Sequence, residues 1–312
     1  MKKNWQSFFI PFLFLALLLK PNPSRSEAPS SFRSGSLLFS KDCDPKAKAA
    51  LSGGDVCAAD PALPNGASFL DLLKQIFPDL RPDGTSSGPS KAPRKYLGQF
   101  YLSDPEAPAA SGSNQKVFLP AGDFAFLTVG ERVAILDRNS GWLAYFQVQP
   151  APKLLDLVGI AQDQHVSFST ETGVYPKGRE GFLFWVGNYH HNAGESFNIY
   201  NLIHAGGEKL DIAYDGPFLY SFHEPSSSEC RVTQNLAPVR PGATDSAGFP
   251  RLTMRVQQEK VCEKGQRSVV TGRRAFEATL NWDPAKQKYM GGSKELFQLN
   301  RCLTEGKPNC GA

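Results

Sequence analysis

Beyond its first twenty residues this 312-residue chain has no long apolar run, and it holds only five histidines, three methionines and no Cys-x-x-Cys pair. Each shortage removes a class of protein. A membrane-spanning helix needs about 20 apolar residues, so nothing after Leu19 predicts one. Without Cys-x-x-Cys or close Cys/His spacing there is no zinc site of the structural kind. The sequence also lacks a Gly-x-Ser-x-Gly elbow, a Gly-x-x-x-x-Gly-Lys phosphate loop, a Gly-x-Gly-x-x-Gly dinucleotide turn, His-Glu-x-x-His and an Asp-x-Asp-x-Asp-Gly calcium loop. No motif therefore asks for a cofactor or a metal. After residue 28 no asparagine begins Asn-X-Ser/Thr, which points away from a eukaryotic secretory route.

What is present starts with a leader. Lys2 and Lys3 give a basic start, residues 8–19 an apolar core, and Ser24, Ser26 and Ala28 the small residues a signal peptidase reads. The run is interrupted by Pro11 and closed by Lys20, too short for an anchor. Residues 1–28 are thus expected to be a signal peptide, cut after Ser26 or Ala28, with the mature chain periplasmic or extracellular. Losing Lys2, Lys3, Lys20, Arg25 and Glu27 brings 34 basic and 30 acidic residues close to balance, so no nucleic-acid partner is implied.

All six cysteines lie beyond the leader, and in an oxidising compartment an even set reads as a disulfide framework. Six thiols permit 15 pairings. Sequential pairing is the expectation: Cys43 with Cys57, Cys230 with Cys262, and Cys302 with Cys310.

Residues 29–95 are rich in Pro, Ser, Gly and Ala and carry one predicted helix, 68–77, where Ser68 and Asp71 form a capping-box pair ahead of Phe69, Leu72, Leu73 and Ile76. From Tyr96 to the end at residue 312 the period changes to 2. Trp142, Ala144, Phe146 and Val148 share one face; so do Leu210, Ile212 and Tyr214, Leu252, Met254 and Val256, and Phe276, Ala278, Leu280 and Trp282. Turn residues separate the runs. The expectation is an all-β fold, an antiparallel meander forming a two-sheet sandwich or a small, irregular β-propeller, in which residues 181–222 would be one blade.

Chemistry is sparse. His190 and His191, followed by Glu195, form the one stretch where imidazoles and a carboxylate gather, as a general acid/base pair or metal ligands of a hydrolase. Against this, adjacent residues of a strand point to opposite faces. His204 shares its parity with Tyr200 and Leu202, as a packed histidine would. Trp185 and Tyr189, with Trp142 and Tyr200, are candidates for an aromatic binding platform, although large aromatics in strands are usually core. Arg273 and Arg274 are candidates for contacting an anionic group, or for guarding an edge strand. Asp211 and Asp215 read as carboxylates of a solvated face.

His191-Asn192-Ala193-Gly194-Glu195-Ser196, Trp282-Asp283-Pro284 and Tyr289-Met290-Gly291-Gly292-Ser293-Lys294-Glu295-Leu296 resemble strings of a family of exported bacterial proteins to which no activity is attached. The resemblance covers about the C-terminal half and implies relatedness and export, with no catalytic residue to carry over. The resulting expectation is a non-enzymatic protein that binds a ligand or protein of the cell envelope, the alternative being the hydrolase built on His190, His191 and Glu195.

Overall fold

The chain is strand-dominated and antiparallel, and its strands begin before Tyr96, since Phe32–Leu38 and Val56–Cys57 join the sheet formed by residues 96–160. A computed structural model describes residues 32–39, 43, 54–98, 124–160, 165–169, 173–177, 181–191, 196–214, 219–223, 230–236, 239–245, 248–264 and 267–298. The expected leader, Glu195, Cys302 and Cys310 lie outside these residues.

One sheet has seven strands: β1 (Phe32–Leu38), β2 (Val56–Cys57), β3 (Tyr96–Leu97), β4 (Phe124–Val129), β5 (Arg132–Asp137), β6 (Trp142–Gln147) and β7 (Lys153–Ile160), in the order β2-β1-β4-β5-β6-β7-β3. Its edge strands β2 and β3 pair in parallel and the others are antiparallel. The second sheet has eleven strands: β8 (His165–Phe168), β9 (Val174–Lys177), β10 (Gly181–His191), β11 (Ser196–Gly206), β12 (Lys209–Ile212), β13 (Leu219–His223), β14 (Cys230–Leu236), β15 (Arg240–Thr244), β16 (Pro250–Lys264), β17 (Arg267–Asp283) and β18 (Lys288–Gly291). Its main path runs β18-β17-β16-β14-β13-β11-β10-β8, with β12, β15 and β9 attached to β11, β16 and β10. The segment read as a blade is β10 to β13, and it is continuous with this sheet. The sandwich, of the two expected architectures, is the one that fits.

Helix α1 (Phe69–Lys74) starts where the capping box predicts: Ser68 Oγ accepts from Asp71 N at 3.1 Å and the Asp71 carboxylate accepts from Ser68 N. It is shorter than expected because Ile76 N bonds Leu73 O, three residues back, and the chain leaves the α-helix before Pro78. Phe69, Leu72, Leu73, Ile76 and Phe77 are still buried. They pack with Phe124, Phe126, Ile135, Ala144 and Phe146 on one face of the first sheet.

The other face of that sheet is buried too. Ala125, Leu127, Ala134, Leu136, Leu143 and Tyr145 meet Phe182, Phe184, Val186, Ile203 and Ala205 of the second sheet. This is why β4 and β5 read as nearly continuous apolar runs: a strand covered on both faces has no solvent side to alternate with. The opposite face of β10 and β11, with Leu183, Trp185 and Leu202, packs against Leu252, Met254 and Val256 of β16 and Leu280 and Trp282 of β17. Strands of one sheet thus enclose a single core, and the sheet is curled into a half-barrel. Tyr214 lies in that core and not with Leu210 and Ile212, because β12 ends at Ile212 and the alternation stops there.

Candidate functional site

The two sheets are locked together at one edge by a charge pair. The register of β6 and β7 slips between Tyr145↔Asp156 and Phe146↔Leu154, so Leu155 is the extra residue of a β-bulge beside Asp156. The Asp156 side chain, 5% exposed, takes both nitrogens of a bidentate Arg94, with Nε to Oδ1 and Nη2 to Oδ2 each 2.7 Å. It also accepts from the backbone N–H of Leu210 at 2.8 Å and of Leu157 at 2.9 Å, while Arg94 Nη2 donates to Leu210 O at 2.7 Å. Arg94 and Asp156 thereby hold β12 against β7. Burial pushes the Asp156 carboxyl up, but Arg94 and the two backbone donors outweigh it and hold the group below the ordinary aspartate range. The same bonds push the Arg94 guanidinium up.

Above this lock lies an open groove of about 400 Å³, walled by Lys95 to Gly98 on one side, Asp211 and Ile212 of β12 beneath, and Lys286 to Lys288 opposite. The first wall is hung on β7: Arg94 N donates to Leu157 O at 2.9 Å and Gly159 N to Lys95 O at 2.8 Å. Tyr96 is paired with Gly159 and packs its ring on that glycine, where an added Cβ would lie 2.3 Å from ring carbons. The ring is therefore seated by the missing side chain, yet the residue is 47% exposed. Gly98, at φ +80°, turns the chain away, and a Cβ there would stand 2.8 Å from Oδ1 of the buried Asn201. Gly98→Ala is expected to lower stability by about 1–2 kcal/mol through the left-handed backbone and this contact; a denaturation midpoint measures it.

The opposite wall is the β17–β18 turn. Asp283 Oδ1 accepts from the N–H groups of Ala285 and Lys286 at 3.0 and 3.2 Å, and Gln287, at φ +54°, ties its amide to Pro284 O at 2.7 Å. The turn carries Lys286 and Lys288 into the groove. Asp211 pairs with Lys95 and lies 3.8 Å from Arg94. The groove is thus lined by an aromatic face, three ammonium groups, one carboxylate and one amide, with Lys95 paired to Asp211 and Lys286 4.0 Å from Asp283.

The residues singled out from the sequence lie elsewhere, apart from Asp211. His190 and His191 occupy consecutive positions of β10 in unbroken register with Phe197 and Ser196. His204 packs edge-on to Phe249 and Trp282, with centroids 5.3 and 5.6 Å apart. Trp185 is 1% exposed in the half-barrel core, with Tyr200 partly buried against it, Trp142 stacks on Phe77 in the core beneath the first sheet, and Tyr189 is exposed on β10. Arg273 and Arg274 are exposed on β17, Arg273 bonding Glu259 at 2.9 Å. Among the described residues no three His, Cys, Asp or Glu side chains converge in a metal-binding arrangement. The sequence reading missed Arg94, Lys95, Tyr96, Asp156 and the Lys286–Lys288 turn; the Asp-Pro-Ala-Lys-Gln-Lys string was the one local signal, a turn with two cations.

Cys43–Cys57 and Cys230–Cys262 are disulfide-bonded as expected, and among the described residues no helix is long and apolar enough to cross a membrane. Compared with protein-family models, curated proteins and solved structures, the chain matches none.

Proposed function

We propose that this is an exported, non-enzymatic binding protein whose groove takes a polyhydroxylated ring bearing a carboxylate, the chemistry of an acidic sugar. The leader, the even cysteine set and the two formed disulfides support export. One observation carries the ligand class: Tyr96, seated on Gly159 and 47% exposed, stands in one groove with Lys95, Asp211, Lys286, Gln287 and Lys288. A tyrosine face suits the C–H side of a sugar ring, Asp211 and Gln287 suit hydroxyls, and the lysines suit a carboxylate. Binding is favoured over hydrolysis because the groove's carboxylate is engaged with Lys95 and its neighbour Asp156 is consumed by Arg94 and two backbone donors. A glycosidase needs two carboxylates flanking the bond it cleaves.

Calorimetric titration with trigalacturonate and with neutral maltotriose tests this. Trigalacturonate is expected to bind at least about tenfold tighter, a difference of about 1.4 kcal/mol. Tyr96→Ala should weaken it by a similar factor, and the double variant Lys286→Glu, Lys288→Glu should remove the preference for the acid. Equal affinity for both sugars, or an acid preference that survives in the double variant, refutes the groove as an acidic-sugar site. Slow release of reducing ends from trigalacturonate would restore the hydrolase reading.

A further inference from the structure

The register of β16 and β17 is unbroken from Leu252↔Leu280 to Lys260↔Gly272 and slips only beyond, at a bulge on Thr271. Side chains therefore alternate strictly between two faces over that stretch. Leu252, Met254 and Val256, with Ala278, Leu280 and Trp282, belong to the half-barrel core, which leaves Arg251, Thr253 and Arg255 of β16 and Glu277, Thr279 and Asn281 of β17 on the outer face. To this face β15 adds Arg240, opposite Thr253, and β18 adds Met290, opposite Asn281, and Lys288, opposite Asp283.

The three arginines surround Thr253. Arg240 is directly across from it, and Arg251 and Arg255 are its second neighbours along β16. All three are exposed, and among the described residues none has an ion-pair or hydrogen-bond partner. Farther out on the same ribbon charges are matched, since Arg273 bonds Glu259 at 2.9 Å and Ser268 donates to Glu263 at 2.7 Å. Glu277 is the one acid directly opposite any of the three arginines, and it forms no ion pair with Arg255. The next acid along β17, Asp283, accepts from the N–H groups of Ala285 and Lys286 in its own turn. Diagonal positions on neighbouring strands lie about 7–8 Å apart, so the three like charges repel one another until an anion spans them. A guanidinium presents a planar fork that takes a carboxylate through two bonds.

The arginine face is continuous with the groove. Lys286 and Lys288 line the groove, and Lys288 shares β18 with Met290. From β18 to β15 there are three strand spacings, about 14 Å. Between the lysine turn and the arginines lie the hydroxyls of Thr253 and Thr279 and the amide of Asn281.

Resting on the reading of the groove as an acidic-sugar site, we propose that its ligand is a chain of acidic sugar residues longer than the groove. The chain leaves the groove past Lys288 and lies across β18, β17 and β16, its carboxylates on Arg251, Arg240 and Arg255 and its hydroxyls on Asn281, Thr279 and Thr253.

Calorimetric titration of the full chain with trigalacturonate and octagalacturonate tests this. The octamer is expected to bind at least about fiftyfold tighter than the trimer; the about six registers in which it can seat a trisaccharide give about sixfold of that, and the arginine face gives the rest. In Arg240→Gln with Arg251→Gln the ratio should fall to about six. Both positions are exposed, and an unchanged circular dichroism spectrum and melting temperature establish that the fold is kept. A ratio of about six in the wild-type chain, with the trimer still preferred to maltotriose, overturns the extension and leaves the groove reading standing. A ratio that stays high in the double variant overturns it too. An octamer that binds while the trimer shows no preference over maltotriose overturns the groove reading, and with it the continuity of the two surfaces. Octaglutamate binding as tightly as octagalacturonate would make an acidic peptide the occupant and overturn the sugar chain.

Discussion

Replacing Asp156 by alanine is expected to lower the stability of the fold by about 3 kcal/mol, because the change strands every group the carboxylate now serves. Removing one partner of a buried pair costs about 3–5 kcal/mol; here Arg94 is 38% exposed and regains some water, which reduces the charge part. The backbone N–H groups of Leu210 and Leu157 lose their acceptor as well, each worth about 1 kcal/mol or more when buried. Urea denaturation of the variant measures the loss. Arg94→Ala should cost less, and the double variant should fall short of the summed single losses, since both remove one network.

The same carboxylate predicts an acid limit. Its pKa is depressed in the folded protein relative to the ordinary value near 3.9. The stability it contributes is therefore present above about pH 4 and is lost as pH falls through the folded pKa. In Asp156→Asn the denaturation midpoint should fall less steeply than in wild type over that acid range. Parallel pH profiles for the two proteins would mean that the lock does not carry the linkage.

What could be read from the sequence was what is local. Ser68 and Asp71 lie three residues apart, and the cap formed. The parities of Leu252–Met254–Val256 and Phe276–Ala278–Leu280–Trp282 are properties of single strands, and both sets face one core. The pairings Cys43–Cys57 and Cys230–Cys262 follow from the cheaper closure of short loops. The groove is different in kind. Arg94 reaches Asp156 across 62 residues of sequence and Leu210 across 116, and the bulge that brings Asp156 to this edge has no side-chain signature. The Asp211 side chain is exposed, as a solvated-face acid is expected to be, but the partner that places it in the groove, Lys95, stands 116 residues away. Tyr96 gives no sign of its place without Gly159, the residue that makes room for its ring. Period-2 patterning reports which side of a strand is apolar. It does not report which two edges of two sheets come to face each other, and the candidate site is built from that meeting.

Replacing Cys230 and Cys262 together by serine is expected to cost about 3.7 kcal/mol, against about 3.0 for Cys43 and Cys57, if restriction of the unfolded chain dominates. The difference follows from sequence separations of 32 and 14 residues. The folded protein adds a local reason. β14 is joined to β13 by two register pairs, Phe222↔Gln234 and His223↔Thr233, but to β16 along its whole length, with Cys230 directly opposite Cys262. The disulfide closes the outer end of that pairing, beside the bulge, where Cys262 Sγ lies 3.3 Å from Thr271 Oγ1. Without it, β14, the outer half of β16 and the half of β17 paired with it should fray as a unit. Hydrogen exchange would then quicken over residues 256–264 and 267–276 and stay slow in β4 to β7, whose two faces are both buried. Equal loss of protection in both sheets would mean that the bond stabilises only through the unfolded chain. A serine variant with wild-type exchange and an unchanged denaturation midpoint would show that Cys230–Cys262 is no clamp at all.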